Sequence, residues 1–127
     1  MDRNYRFAKD ERYPVEQLIF KIDPAHLQEF LKVDHEVWTL GEALHPAWNR
    51  VPFLSKEVWI NENRPGIIEV VLVWESMEAW RSVDAEEIQS GLIAHFDSKF
   101  KHPYKLLRAI QNEENFGKYR VNRFERV

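Results

Sequence analysis

The 127-residue sequence predicts one α+β domain, in which strands and helices follow the order βαββαβ and one further strand ends the chain. Two helical patterns support this prediction: a broad apolar arc after the first strand, and an i, i+4 apolar stripe before the fourth. Alternating or continuous apolar segments indicate the strands, at residues 15–22, 53–60, 67–74, 104–110 and 118–124. A chain of this length fits one hydrophobic core, so a second independent domain is not expected.

The first predicted helix begins at Asp23-Pro24 and ends near Leu44, before His45-Pro46. Asp is a favourable N-cap, and Pro fits the first helical turn because its missing N–H has no partner there. With about 100° between successive residues, one face of this helix is apolar. It carries Leu27, Phe30, Leu31, Val33, Val37, Trp38, Leu40 and Leu44. We expect this face to pack on the sheet.

The strands at 53–60 and 67–74 are predicted to form an antiparallel hairpin, because residues 61–66 have turn composition with Asn, Pro and Gly. The second of these strands is almost continuously apolar, which predicts that both of its faces are covered. One face is expected to meet the helices of the same chain. The other face predicts a second copy of the chain, and therefore a homodimer.

Two further helices are predicted between the hairpin and the fourth strand. Ser76 is expected to cap a short helix at residues 77–83. Asp84 is expected to cap a longer helix ending near Lys101, with Glu87 completing a capping box. The longer helix carries the i, i+4 stripe, which consists of Ile88, Leu92, Phe96 and Phe100.

Residues 1–13 are polar and show no apolar period, so they are interpreted as a mobile N-terminal arm that precedes a domain at 14–127. The arm lacks the apolar stretch of a signal peptide, and the chain has no apolar run of the roughly 20 residues that span a bilayer. A cytoplasmic protein without membrane association is therefore expected.

Composition excludes several classes of function. The absence of cysteine excludes disulfides, thiolate metal sites and cysteine nucleophiles. A formal charge of −3 argues against a nucleic-acid binder. Neither a phosphate loop nor a Gly-x-Ser-x-Gly motif occurs, so nucleotide cofactors and elbow-type hydrolysis have no support. The aromatic share of 13% is high for a small domain, which predicts rings in a pocket or an interface.

Four segments carry a resemblance to a known family, and it extends over about residues 14–124. They are Asp34-His35-Glu36-Val37-Trp38-Thr39, Lys56-Glu57-Val58-Trp59-Ile60-Asn61, residues 70–74 and Glu78-Ala79-Trp80. They resemble an uncharacterised, mainly cyanobacterial group of small proteins in the dimeric α/β-barrel superfamily. That superfamily has the ferredoxin-like fold, an antiparallel sheet with helices on one face.

The resemblance implies a dimer in which two sheets pack face to face, and a small aromatic or apolar ligand between the helices and sheet of each subunit. Members of the superfamily include monooxygenases and isomerases that use no cofactor, as well as haem-degrading oxygenases. The haem-degrading members use an Asn, a His and a Trp in a set arrangement. The first strand here, residues 15–22, has no Asn, which argues against haem, so no cofactor is expected.

Asp34 is the strongest candidate for a functional group, because the helical wheel places it between Phe30 and Trp38 in the apolar arc. A buried carboxylate must be paired, hydrogen-bonded, hydrated or protonated. One interpretation is a general base or ligand anchor in a pocket. The other is a salt bridge to Lys56 or Arg120, or a hydrogen bond from a Trp N–H. An unpaired Asp34 in an open cavity favours an enzyme; a bridged Asp34 without a cavity favours a non-catalytic module.

Other candidates follow from position in the predicted elements. His35 is the alternative catalytic base. The candidate ligand-binding residues are Trp38, Trp59, Trp80 and His95. For each of these, packing in the core, the dimer interface or a helix boundary is the simpler alternative. No metal site is predicted, since the histidines lack His-x-His or His-x-x-x-His spacing.

Two functions remain open on the sequence alone. The first is a cofactor-independent monooxygenase or isomerase acting on an aromatic or enolisable substrate. The second is a non-catalytic module that binds a ligand or a partner.

Overall fold

The computed structural model describes residues 3–109 and 117–127, without the side chains of residues 108 and 109. Seven strands lie in these two ranges: β1 (Tyr5–Ala8), β2 (Tyr13–Ile22), β3 (Phe53–Ile60), β4 (Ile67–Trp74), β5 (Tyr104–Ala109), β6 (Tyr119–Arg120) and β7 (Arg123–Arg126). The main sheet is antiparallel, with the order β3-β4-β2-β5 and with β6 paired to β2. β1 and β7 form a separate two-stranded sheet.

The helices lie between β2 and β3 and between β4 and β5, as the predicted order requires. The first is a composite: a 3₁₀ turn (Pro24–His26), α1 (Leu27–Val33), a π-helical segment (Asp34–Thr39) and α2 (Leu40–Ala43). The later two are α3 (Met77–Val83) and α4 (Glu86–Lys99). The ferredoxin-like α+β fold is therefore confirmed. Within the described residues, no helix has the length and apolarity needed to cross a bilayer.

The predicted hairpin is confirmed, with β3 and β4 at the expected bounds and Val58 opposite Val70. Gly66 ends the turn with a φ of 86°, in the left-handed region that favours glycine. A Cβ at this position would also collide with the carbonyl oxygen of Ile22. The turn and the end of β2 therefore fit together only with glycine here.

The register of the strands determines which side chains share a face. Glu16 and Lys56 both pair with Leu72, so all three lie on the face that the helices cover. Trp59 pairs with Glu69 on the opposite face, which we call the outer face. The outer-face residues of the three adjoining strands are Val15, Gln17, Ile19, Lys21, Ser55, Glu57, Trp59, Ile67, Glu69, Val71 and Val73.

The π-helical segment corrects the prediction of one regular helix through Leu44. A π-helical turn holds one more residue than an α-helical turn, so residues beyond it are displaced by one position, about 100°, around the helix. Leu40 and Leu44, which the regular wheel places in the apolar arc, are 38% and 70% exposed. Phe30, Val33 and Val37 are buried as predicted.

Two further boundaries differ from the prediction. α4 begins at Glu86 after Ala85, and the Asp84 N–H instead bonds the Trp80 carbonyl oxygen at the end of α3 (2.9 Å). Asp84 therefore closes the preceding helix and is not the N-cap of the next one. α4 ends at Lys99 rather than Lys101. Ile110, predicted to end the fourth strand, lies outside the described residues.

The two ends of the chain pair with each other. The predicted strand at 118–124 is divided into β6 and β7, and β7 pairs with β1. The segment predicted to be a mobile arm thus contains the strand Tyr5–Ala8, where Tyr5 stacks on Phe124 with 4.8 Å between ring centroids. β1 could not be predicted locally, because its four residues are too few to show an apolar period and its partner strand, β7, lies at the other end of the chain. The division into an arm and a domain at residue 13 stays a prediction.

Candidate functional site

A cavity of about 540 Å³ lies between the helix layer and the sheet, within the roughly 300–1,000 Å³ typical of small-molecule sites. Its lining comes from β2, β3, β4, β5 and the helices. The residues are Glu16, Leu18, Phe20, Asp34, Trp38, Glu42, Lys56, Val70, Leu72, Trp74, Trp80, Val83, Asp84, Glu86, Gln89, Ile93, Tyr104 and Leu106. Most of this wall is apolar, and its polar groups are concentrated on the first helix and the facing strands.

Three indole rings form part of the cavity wall. Trp74 at the end of β4 and Trp80 in α3 are almost parallel, with centroids 6.1 Å apart and planes 5° apart. Trp38 lies on the first helix and packs against Phe96 of α4 at 6.3 Å. Flat, rigid walls of this kind suit a planar ligand.

Asp34 forms a buried ion pair with Lys56 of β3, with 2.8 Å between Oδ2 and Nζ. The Lys56 ammonium also donates to Thr39 Oγ1 (2.6 Å). The predicted salt bridge between Asp34 and Lys56 is thus confirmed, whereas Arg120 pairs with Glu11 (2.9 Å). Asp34 is bridged and also lines a cavity, so the structure combines the two arrangements that the sequence analysis set against each other.

Glu42 lies beside this pair and is 8% exposed. Gln89 of α4 donates to Glu42 Oε2 (3.1 Å) and to the Val83 carbonyl oxygen (3.0 Å). The pKa of Glu42 is raised to about 7, mainly by burial and next by the nearby Glu16 carboxylate, against the lowering effects of the Gln89 hydrogen bond and the Lys56 ammonium. Glu42 therefore exchanges a proton close to neutral pH.

Glu16, on β2, is the third buried carboxyl group of the cavity, and its Oε1 accepts from Trp74 Nε1 (3.2 Å). Asp34, Glu42 and Glu16 thus line the same cavity as the Lys56 ammonium. Repulsion among carboxylates in a low-dielectric site favours protonation of one of them. An acid-base group next to a fixed ion pair is an arrangement suited to moving a proton of a bound molecule.

Two groups at the edge of the cavity also have raised pKa values. Burial raises the pKa of Asp84. Burial raises the pKa of Tyr104 to about 12, and so does its hydrogen bond to Asp97 (2.5 Å). The Tyr104 hydroxyl consequently stays protonated and donates to Asp97.

The structure places the sequence-predicted site residues in two groups. Asp34, Trp38 and Trp80 line the cavity. His35 and His95 are exposed on their helices, outside the lining, and Trp59 is 56% exposed on the outer face. His35 and His95 therefore do not approach Asp34 across the cavity, because their neighbours Asp34 and Phe96 occupy the inner positions.

Glu16, Glu42 and Gln89 line the cavity although they are not among the site residues predicted from the sequence. Glu16 had a usable signal, since it alternates with Leu18 and Phe20 and so shares their inward face. Glu42 had none, because the regular helical wheel places it about 80° from Asp34, outside the arc. The π-helical segment brings it back toward Asp34.

Comparison with known proteins agrees with the fold. No protein-family model matches the chain, and no curated protein matches it in sequence. Among solved structures, the chain is similar to SnoaB, a cofactor-independent oxygenase from Streptomyces nogalater, at 16% identity and a TM-score of 0.51 over 81% of this chain and 98% of that one.

Two further solved structures are similar at lower scores. A dimeric ferredoxin-like protein from an uncultured marine organism has 20% identity and a TM-score of 0.49, over 82% of this chain and 95% of that one. An antibiotic biosynthesis monooxygenase has 16% identity and a TM-score of 0.44, over 76% and 98%. The likeness to SnoaB agrees with the ferredoxin-like fold alone, and membership of the cyanobacterial group stays a prediction.

Proposed function

We propose that the protein binds a small, planar, largely apolar molecule in the cavity and removes a proton from it with Glu42. The reaction class is that of a cofactor-independent monooxygenase or an isomerase. The observation that carries this proposal is the convergence of Glu42 and the Asp34–Lys56 pair on an aromatic-walled cavity of about 540 Å³.

The chemistry divides between two groups. The Glu42 carboxylate takes a proton from a phenolic O–H, or from a C–H next to a carbonyl, and a pKa of about 7 keeps both of its forms accessible at neutral pH. The Lys56 ammonium, oriented by Asp34 and Thr39, stabilises the oxyanion that forms. In an isomerase, the proton returns to a different carbon.

In a monooxygenase, the deprotonated substrate itself supplies the electrons that reduce O₂. A ring CH₂ group then becomes C=O, and the second oxygen atom leaves as water. SnoaB, which has the same fold, is a cofactor-independent oxygenase, and this likeness supports the class. A fold hosts many reactions, so the assignment depends on the cavity and not on the likeness.

The charge of the cavity indicates which substrates it accepts. Among the described residues, five acidic side chains and one basic side chain, Lys56, line the cavity, so its described lining is rich in carboxyl groups. A substrate with its own carboxylate is repelled, whereas a neutral molecule with a hydroxyl donor is favoured. We therefore expect neutral polycyclic phenols, anthrones and hydroquinols to bind better than their carboxylated analogues.

The proposal is tested by titrating such compounds while recording quenching of tryptophan fluorescence, and by measuring oxygen uptake and isomer formation. Glu42→Gln should retain binding and lose turnover by at least about a hundredfold, the usual lower range for a general base. Glu62→Gln, in the exposed hairpin turn, is the matched control. Equal turnover in Glu42→Gln and wild type would refute the role of Glu42.

The second candidate is a non-catalytic ligand-binding module. The observation that favours it is that Lys56 donates to both Asp34 and Thr39, so that the ammonium has a structural role in joining the first helix to β3. Under this proposal the same compounds bind, but neither oxygen uptake nor isomerisation exceeds that of the buffer, and Glu42→Gln changes nothing but affinity.

We further propose that two copies associate through the outer face. This face combines Ile19, Val71 and the exposed Trp59 with a polar pair, in which Gln17 donates to Glu69 (3.1 Å). A stable interface of standard size buries about 1,600 Å². Light scattering at micromolar concentration should give twice the chain mass.

Val71→Lys places a charge at the centre of the outer face and should dissociate the dimer. Val51→Lys, in an exposed loop, is the control. A monomeric mass for the wild-type protein would refute the association.

A further inference from the structure

Three side chains that bind metals in other proteins meet at one end of the helix layer, away from the cavity. They are His26, Glu29 and His102, and one ligand atom from each lies within 4.8 Å of the others. The distance from His102 Nε2 to Glu29 Oε2 is 2.8 Å. The rings of His26 and His102 are stacked, with centroids 3.5 Å apart and planes 6° apart.

The first two of these residues share one helical turn. His26 ends the 3₁₀ turn that Asp23 caps, with Asp23 Oδ1 accepting from the Ala25 N–H at 2.9 Å. Glu29 follows three residues later, so its side chain rises on the same side of the helix. The N-cap and Pro24 thereby fix the backbone from which both side chains extend.

The third residue comes from a distant part of the chain. His102 lies in the connection between α4 and β5, and its ring packs edge-on against Phe100 at 5.3 Å. Phe100 itself is buried in the core. The arrangement therefore joins two segments that are separated by 73 residues in sequence, and both of them are anchored.

We propose that His26, Glu29 and His102 form a binding site for a divalent transition-metal cation of the zinc class. Two imidazole nitrogens and one carboxylate oxygen are the donors that Zn²⁺ accepts when three protein ligands leave the fourth position open. Imidazole donors disfavour Mg²⁺ and Ca²⁺, which prefer oxygen. The site thus selects for cations such as Zn²⁺ and Co²⁺.

The ligand atoms lie close enough together for such an ion, but one imidazole must rotate out of the stack to bind it, because nitrogens in two parallel ring planes do not point at one common ion. Zn–N and Zn–O bonds of about 2.0–2.1 Å in a tetrahedron place the ligand atoms about 3.3 Å apart. The contact from His102 to Glu29 is already shorter than that, and the widest separation closes with a side-chain movement of about 1.5 Å. The metal takes the place of the proton that His102 and Glu29 share in the hydrogen bond.

This site is independent of the proposed function, because none of its three residues lines the cavity. A bound ion links the start of the first helix to the α4–β5 connection, and therefore stabilises the folded state by binding it preferentially. The sequence analysis predicted no metal site because the three residues have no short ligand spacing, and only the fold brings them together.

The test is a calorimetric titration of tag-free protein with Zn²⁺, accompanied by Co²⁺ absorption spectra. We expect one ion per chain, and a rise in the thermal midpoint when the ion is added. His102→Ala and His26→Ala should each weaken binding at least about tenfold, the lower end of the loss that even an outer-shell partner causes. His95→Ala, an exposed histidine elsewhere, should bind like the wild type.

Glu29→Gln provides a variant that keeps the size of the side chain and removes its charge. It should fold as the wild type does, as judged by circular dichroism, and should bind Zn²⁺ more weakly. The inference is overturned if Zn²⁺ does not bind the wild type. It is also overturned if the His26, Glu29 and His102 variants all bind as tightly as His95→Ala.

Discussion

Replacing Glu42 with Gln should make the protein more stable at alkaline pH, although it removes the proposed acid-base group. Gln has the shape of a protonated Glu, and its amide oxygen can still accept from Gln89. In the folded state, burial raises the pKa of Glu42 from the ordinary 4.5 to about 7, which means that the structure favours the protonated form. Wild-type folding is therefore penalised wherever Glu42 must ionise.

The size of the penalty follows from the shift in pKa. Below about pH 4.5 both the folded and the unfolded states hold the proton, so there is no penalty. Between about pH 4.5 and 7 the unfolded chain loses the proton first, and the stability of the folded state falls as pH rises. Above about pH 7 the penalty is complete, at about 3 kcal/mol for a shift of roughly 2.5 units.

Urea unfolding at pH 4.5, 6 and 8 measures this effect directly. Glu42→Gln should equal the wild type at pH 4.5 and exceed it by up to about 3 kcal/mol at pH 8, or about 10 °C in the thermal midpoint. Glu62→Gln should follow the wild type at every pH. A Glu42→Gln variant less stable than the wild type at pH 8 would refute a buried carboxyl group with a raised pKa.

Two further predictions concern the ion pair and the N-terminus. Asp34→Asn leaves the buried Lys56 ammonium without its carboxylate and should lower the free energy of unfolding by about 3–5 kcal/mol. The double variant Asp34→Asn with Lys56→Met should recover most of that loss. Urea unfolding of both variants measures this, and additive losses in the double variant would contradict it. Deleting residues 1–10 should lower the thermal midpoint by only a few degrees, which corresponds to a loss of stability under about 1 kcal/mol, because Tyr5 and Phe7 are more than half exposed. Scanning calorimetry measures the midpoint, and a variant that does not fold would contradict this prediction.

The fold was predictable because its determinants are local. The hairpin has an apolar strand on each side of a turn with Asn, Pro and Gly, and β3 and β4 have the predicted bounds. The inward direction of Asp34 was predictable for the same reason. Asp34 is the first residue of the π-helical segment, so its position on the regular helical wheel is not yet displaced. The Asp34–Lys56 contact was one of the alternatives left open by the sequence, beside a salt bridge to Arg120 and a hydrogen bond from a Trp N–H.

Other parts of the structure depend on features that a single sequence does not display. The cluster of His26, Glu29 and His102 joins residues from distant parts of the chain, and so does the pairing of β1 with β7. Glu42 depends on the π-helical segment, which has no short sequence signature. The π-helical segment adds one residue to the helix, so Glu42 is buried and Leu44 is exposed, the reverse of where the regular helical wheel places them.

This dependence gives a final prediction, in which one residue is deleted from the first helix. Deleting Leu40, which is exposed and directly follows the π-helical segment, should let residues 27–43 form a regular α-helix while Glu42 keeps its inward direction. The deletion moves Glu42 back by one position on the wheel, about 100°, which is the displacement that the π-helical turn now provides. The variant should fold and retain the fall in stability between about pH 4.5 and 7.

Deleting Gln28 is the matched control, since this exposed residue lies in the regular helix α1. In α1, losing one residue rotates Leu27 and the residues before it by about 100° around the helix axis relative to the buried Phe30 and Val33. The two parts can then no longer pack on the sheet together, so the variant should lose much of its stability. Urea unfolding at pH 4.5 and 8 compares the two deletions. If the Leu40 deletion unfolds the protein as readily as the Gln28 deletion, or folds without the pH dependence of Glu42, the π-helical segment is not what directs Glu42 into the cavity.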